Sequence, residues 1–444
     1  MTRIVILGGG TAGTITANRL RRLFDRELSA GNTTITVVDQ DDQHVYQPGL
    51  LFVPFGRYEP DQLIKPRRRQ LHGQVELIEA TIDRVETPEN RVYLESGTTL
   101  DYDVLIVATG TRVAPEETDG LTGAGWQTRM FDFYTLDGAT KLRDALARFD
   151  RGRLVVNIVD MPIKCPVAPL EFVFLADDYF TRRGIREHVQ ISYVTPLDSA
   201  FTKPNCSRAL SHLLSDKGIE LVTEFNAGRV DGEAGVLASW DDREIPFDLL
   251  VTVPLHAGAA FVGRSPGLGD DLGFVVTDPN TLQARVAPNV FAIGDATNIP
   301  ASKAGSVAHF EAEVLTENVR RYLAGRALAP EFDGHANCFI ETGRDRALLI
   351  DFNYDIEPLP GRFPIPVVGP MRLLGESRLN HLGKLAFRWV YWNVLLPGRD
   401  IPMVGARMSM RGKRPLGSPP VGTRNQPEPP RALVGRSAGS FNGE

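Results

Sequence analysis

The sequence predicts an α/β protein with two doubly wound, parallel-sheet units and a smaller α+β unit at the C-terminal end. Three observations carry this. Short apolar strands alternate with amphipathic helices over the first 330 residues, the pattern of parallel-sheet folds. The strand–turn–helix opening occurs twice, at RIVILG and again at LVVNIV (154–159). From about Asp333 the character changes to two strand-like segments, NCFIETG and ALLIDFNY, then a Pro- and Gly-rich stretch and an aromatic amphipathic segment, 379–396.

The first unit opens with RIVILG, a helix over Thr11 to Ser29, and TTITVVD. Gly8, Gly10 and Gly13 form GxGxxG between strand and helix. The first two permit a tight turn and close pyrophosphate approach, the third close helix packing. Thr11 and Ala12 lie inside the turn, and Asp39, followed by Gln40, ends the second strand where a carboxylate can bind ribose hydroxyls. This is a Rossmann-like nucleotide site. YDVLIVATG (102–110), ending at Gly110, reads as the strand on which the chain leaves this unit, and DLLVTVP (248–254) as its counterpart leaving the second. The expected division is 1–112 with 255–330 as one domain, 113–254 as the second, 331–414 as the C-terminal unit, and 415–444 as a disordered tail too poor in apolar residues to offset its ordering entropy.

Composition narrows the function class. The 444 residues carry 49 basic against 55 acidic side chains, a net of −6, which does not suggest nucleic acid. Cys165, Cys206 and Cys338 show no CxxC or Cys/His spacing of metal-site type, so any cysteine chemistry is individual and no metal is expected. The first strand begins at Arg3, leaving no room for an export signal, and no apolar run approaches the roughly 18 to 20 residues of a membrane-spanning helix. The expected location is the cytoplasmic side of the cell membrane, held peripherally.

The segment TLQARVAPNVFAIGD (281–295) resembles the second flavin fingerprint of the two-domain disulfide reductase superfamily. That resemblance implies FAD, with Gly294 and Asp295 at the ribityl chain. A following helix, expected from about Lys303 through Ala304 to Tyr322, would aim its N-terminus at the flavin pyrimidine end, with Lys303 adding positive charge.

If the second unit bound NAD(P)H, the turn after its first strand would need glycines. It reads DMPIKCPVAP, and no glycine lies between Gly152 and Gly184. The helix of this unit is expected near Pro169 to Arg183, and Cys165 stands where a helix could begin, with Pro166 as its first residue; a helix N-terminus and the adjacent Lys164 would both favour the thiolate. Cys206, in a Lys-Pro-Asn-Cys loop, reads as structural.

Over roughly residues 1 to 412 the chain resembles the sulfide:quinone oxidoreductase family, through GGGTAG, YQPGL, VATG, the IKCPVAP turn, VFAIGD with PASKAG, NCF and HLGKLAF. The resemblance implies a catalytic redox pair, Cys165 and Cys338, at the flavin, sulfide and quinone as substrates, and Phe339, Phe387 and Lys384 around the quinone ring. Many members carry a further cysteine after the first exit strand, where this chain has Gly125, Trp126 and Thr128. Glu341 and Tyr354 are candidate proton relays. Residues 371–414 hold nine basic and two acidic side chains, a net of +7, which with the aromatic 379–396 segment suits an anionic lipid surface; a packing helix or a homo-oligomer contact is the alternative use. Competing functions are a type II NADH:quinone dehydrogenase and a membrane-tethered flavoprotein that binds without turnover.

Overall fold

The computed structural model describes residues 1–365 and 368–415. The expected tail lies outside the described residues, apart from Pro415.

Two five-stranded parallel sheets form the body. In the first, the order across the sheet is Val290–Ala292, Val104–Val107, Thr2–Leu7, Thr33–Asp39, Glu76–Glu79. In the second it is Met130–Phe131, Leu249–Val253, Gly152–Ile158, Val189–Val194, Glu220–Val222. Four strands follow the same order in both sheets; the outer strand beside them comes last in the chain in the first sheet and first in the second. Central strands are buried on both faces, which is why they read as unbroken Val/Ile/Leu runs: Ile4, Ile6, Leu7, Val104 and Ile106 have no exposed surface. The two segments that cross between the sheets pair antiparallel, Arg112–Ala114 with Leu255–Ala257.

The third sheet is mixed. Ala336–Gly343 and Arg346–Phe352 form a hairpin, extended by Met371–Leu373 and Gly361–Phe363. The Arg378–Val390 helix packs on it, capped by Ser377, whose side chain accepts from Asn380 N–H. Asn380 is fully buried and donates to the carbonyls of Ala347, Arg372 and Gly375, fixing the helix on the sheet.

Three helix expectations need correction. The first helix stops at Leu23, and a short separate helix, Asp25–Ser29, follows after Phe24 leaves helical geometry. The 379–396 segment is an α-helix only to Val390 and continues as a π-helical turn, Tyr391–Leu395. Cys206 lies in the helix Pro204–Asp216, not in a loop. It is wholly buried, and burial pushes its thiol up to about 12.

Candidate active site

Parallel strands in register bring their carboxyl ends to one edge, where open α/β sheets bind ligands. Val38, Leu7, Val107 and Ala292 are lateral neighbours across the first sheet. The residues just beyond them, Asp39, Gly8, Gly110 and Gly294 with Asp295, therefore share one rim. Gly8 has φ +95°, and a Cβ there would meet the Ala108 carbonyl at 2.6 Å; a Cβ on Gly13 would strike the Gly8 carbonyl at 1.8 Å. These two glycines are required by the turn itself. Above Gly10 the space is open, and the Thr11–Leu23 helix that contains Ala12 has no side-chain cap on its N-terminus. An uncapped helix end under open space fits a pyrophosphate.

Asp39 accepts from Gly9 N–H at 2.6 Å and from Gln40 N–H, and pairs with Arg67 at 3.1 Å. Burial raises its carboxyl above the usual range, against the pull of Arg67. At the other end of the rim, Gly294 has φ +70° and donates its N–H to Glu311, a buried carboxylate on the Gly305–Leu323 helix, at 2.6 Å. That helix starts at Gly305, after Ala304, and it too lacks a side-chain cap.

Lys303 is oriented differently from the expectation. Its ammonium donates to the carbonyls of Asp295 and Thr297 at 2.9 and 2.6 Å, because a buried lysine must satisfy its donors locally. It braces the Asp295 turn. Burial raises the Asp295 carboxyl, while Lys303 and Lys164 oppose it.

Glu311 was not singled out from sequence. Burial pushes it up to about 7, outweighing the Gly294 N–H that favours its ionised form. A carboxyl raised in the folded state binds protons that the unfolded chain has lost, so its cost appears as pH rises from about 4.5 to about 7. Glu311→Gln, which can still accept from Gly294, should match the parent in thermal unfolding at pH 5. At pH 8 it should exceed the parent by on the order of 2 kcal/mol; equal stabilities at pH 8 would refute the assignment.

Cys165 is carried to this rim by the second sheet. Its N–H donates to the Lys303 carbonyl at 2.6 Å, and its carbonyl accepts from Tyr134 OH at 3.3 Å and from Ala168 N–H at 2.9 Å. The helix expected near Pro169 to Arg183 runs Ala168–Arg182, so Pro166 is not its first residue. Cys165 instead occupies a turn with φ 48°. The expectation of a thiol held ionised by a helix end and Lys164 is overturned. Burial pushes the Cys165 thiol up to about 12, with the Glu171 carboxylate adding to it and Lys384 opposing.

The third sheet supplies Cys338, which pairs with Ile350 in the hairpin. Ser306 donates to the neighbouring Asn337 carbonyl at 2.8 Å, tying this strand to the start of the Gly305–Leu323 helix. Burial pushes the Cys338 thiol up, and after burial the largest influence on it is Cys165. All three cysteines are free thiols.

Between the two thiols and the last helix lies a buried ion pair. Glu171 is fully buried on the Ala168–Arg182 helix and accepts from Lys384 Nζ at 2.5 Å and from Glu341 N–H at 2.7 Å. Lys384 also donates to the Phe339 carbonyl at 3.1 Å. Burial pushes Glu171 up to about 7 despite Lys384. Burial also pulls Lys384 down, yet Glu171, with Cys165 and Glu341, leaves it raised on balance. The lysine expected beside the quinone ring is thus engaged with Glu171 and the Phe339 backbone. Phe339 packs on Gly383, where a Cβ would come 2.9 Å from its ring, and Phe387 is half-buried one turn along, 6.5 Å from the Tyr391 ring. Tyr354 lies elsewhere: its hydroxyl donates to the Pro279 carbonyl and its ring packs on Phe332, so it relays nothing to this site. Among the described residues no group of three or more His, Cys, Asp and Glu side chains could hold a metal.

Residues 2–157 match the pyridine nucleotide-disulphide oxidoreductase family. The mitochondrial sulfide:quinone oxidoreductase of Mus musculus is 26% identical over 89% of this chain and 86% of its own length. That of Schizosaccharomyces pombe is 28% identical over 88% and 89%. The chain is a relative of the sulfide:quinone oxidoreductases. The crystal structure of the Aquifex aeolicus sulfide:quinone oxidoreductase shares the fold, with a TM-score of 0.74 at 18% identity, over 90% of this chain and 92% of that one. The chain is a flavin oxidoreductase with Rossmann-like, parallel-sheet units.

Proposed function

We propose that this chain is an FAD-dependent sulfide:quinone oxidoreductase that oxidises sulfide to zero-valent sulfur on Cys165 and Cys338 and delivers the electron pair to a membrane quinone. The observation that carries the reading is the convergence of two cysteines from different units on one rim, at a second-unit turn that lacks the glycines a pyridine nucleotide needs. FAD, when bound, supplies two-electron transfer between the sulfur side and the acceptor side. Gly8, Gly10, Thr11, Ala12 and Gly13 present amides to its pyrophosphate. Asp39 and Gln40 face the ribose end, Gly110 lets the chain pass close, and Gly294 with Asp295 takes the ribityl chain. Lys303 and Ala304 hold the turn and helix start beside it.

Cys165 and Cys338 accept sulfur: hydrosulfide opens a sulfur link between them, leaving one persulfide and one thiolate. Phe339 and Phe387 offer flat apolar surface to a quinone ring, with Lys384 beside Phe339. Anaerobic hydrosulfide should bleach the flavin absorbance near about 450 nm, and decylubiquinone should restore it. Persistence of the flavin colour in sulfide would overturn this reading, and rapid bleaching by NADH would put the NADH:quinone one in its place.

The Arg378–Val390 helix supports the membrane half of the reading. It is amphipathic in the inverted sense: Asn380, His381 and Lys384 face inward while Leu379, Leu382 and Trp389 are 50, 56 and 65% exposed. An outward apolar stripe flanked by basic residues suits a lipid interface, and no helix among the described residues is long and apolar enough to cross a membrane. Leu382→Asp with Trp389→Ser should lower flotation with anionic vesicles several-fold at unchanged flavin content. Unchanged flotation would return this face to an oligomer contact.

A further inference from the structure

A second buried acid–base pair adjoins the Lys384–Glu171 pair. Side chains alternate along a strand, so Phe339 and Glu341 share one face of theirs; His381 and Lys384, three apart, share one face of their helix. Glu341 has no exposed surface, and His381 Nδ1 lies 2.9 Å from each of its carboxylate oxygens. The Glu341 N–H is the one that donates to Glu171. On its other side His381 Nε2 is 3.9 Å from Asp345, a side chain 57% exposed in the hairpin turn. Asp345 also faces Arg182 at 3.2 Å, and Arg182 faces Asp178, which meets Arg57 at 3.6 Å. A row of ionisable groups therefore runs from Lys384 and Glu171, through Glu341 and His381, to water at Asp345.

The reaction requires a proton from outside. Written in balance, HS⁻ + Q + H⁺ gives S⁰ + QH₂: the S–H bond breaks, sulfide loses two electrons, the quinone gains them, and two O–H bonds form. Sulfide supplies only one of the two protons. We propose that Asp345, His381 and Glu341 form the inlet by which the second proton reaches the Lys384–Glu171 pair and the quinone. This rests on the sulfide:quinone reading. Buried pairs of this kind are weak stabilisers compared with apolar packing, so stability alone gives little reason for one here. His381 and Glu341 act through Lys384 and Glu171, which makes them positioning and relay residues.

The test uses the FAD-loaded protein, photoreduced without sulfide and mixed anaerobically with decylubiquinone between pH 6 and 9. Gln at position 381 can still donate to Glu341 but cannot take up and release a proton. His381→Gln should slow flavin reoxidation by about tenfold at pH 8, less than the roughly hundredfold or more lost with a group that passes its proton directly to the reacting molecule. It should also raise the solvent deuterium isotope effect, recover part of the rate with added imidazole, and leave reduction by hydrosulfide within about twofold of the parent. Reoxidation within twofold of the parent across this range overturns the inlet. Should His381→Gln lose its flavin, the exposed Asp345→Asn decides instead: a slowing at high pH supports the inlet and an unchanged rate overturns it. A parent that quinone reoxidises but sulfide does not reduce overturns the sulfide reading and leaves the inlet standing for another donor.

Discussion

Cys165→Ser and Cys338→Ser should each retain FAD and each fail to bleach with sulfide, the rate of flavin reduction falling by at least about a thousandfold. The size follows from the chemistry. A serine hydroxyl neither accepts sulfur nor leaves as a thiolate, and opening a sulfur link between two positions requires sulfur at both. The hydrogen bonds that Cys165 makes among the described residues come from its backbone, so flavin content should hold in both variants. Cys206→Ser is the internal control: it sits in the core of the second unit, and its loss should cost roughly 1 to 3 kcal/mol of stability, the penalty of a buried hydroxyl without a partner, with reduction within twofold of the parent. Anaerobic rapid mixing measures the reduction, flavin absorbance the FAD content, and denaturant unfolding the stability. Equal bleaching in all three variants would remove Cys165 and Cys338 from the reduction, and no bleaching in parent or variants would leave a flavoprotein that binds without turnover.

The sheets were legible because burial on both faces writes itself as continuous apolar runs, and the glycine turn because only glycine fits at Gly8 and Gly13. Helix ends were less so. Phe24 breaks the first helix within a run of residues that all tolerate helix, and Pro169, not Pro166, is the proline in the first turn of the helix after Cys165. That two-residue displacement reverses the electrostatics of the thiol, from an expected helix-end stabilisation to burial beside a carboxylate. Glu171 carried a signal, a lone acid in the apolar run APLEFVFLA. Its partner stands 213 residues away, and sequence reading has no means of joining them. The inward turn of Lys303 was hidden for a similar reason, since its acceptors are backbone carbonyls, which every residue has.

The same distant pair sets the largest expected loss of stability. Lys384→Met removes the only cation bonded to Glu171 among the described residues, and Glu171 already has one carboxylate oxygen without a partner there. Stranding a buried charge costs about 3 to 5 kcal/mol, unless the group protonates. Glu171 stands at about 7 with the lysine present, so without it the folded carboxyl rises further above its unfolded value. The sign follows: the variant should be nearly as stable as the parent at pH 5, where the carboxyl is protonated in the fold, and lose stability as pH rises through neutrality. Adding Glu171→Leu should restore most of the loss at pH 8, because an apolar side chain leaves nothing to ionise. Lys384 also pulls the Cys165 thiol down, so the pH profile for reduction by sulfide should move to higher pH in the single variant and back in the double one, where the carboxylate that raised the thiol is gone. Denaturant unfolding at pH 5 and 8 checks the first half; a deficit of equal size at both pH values would mean that the methionine disturbs packing and that Glu171 stays ionised in the fold.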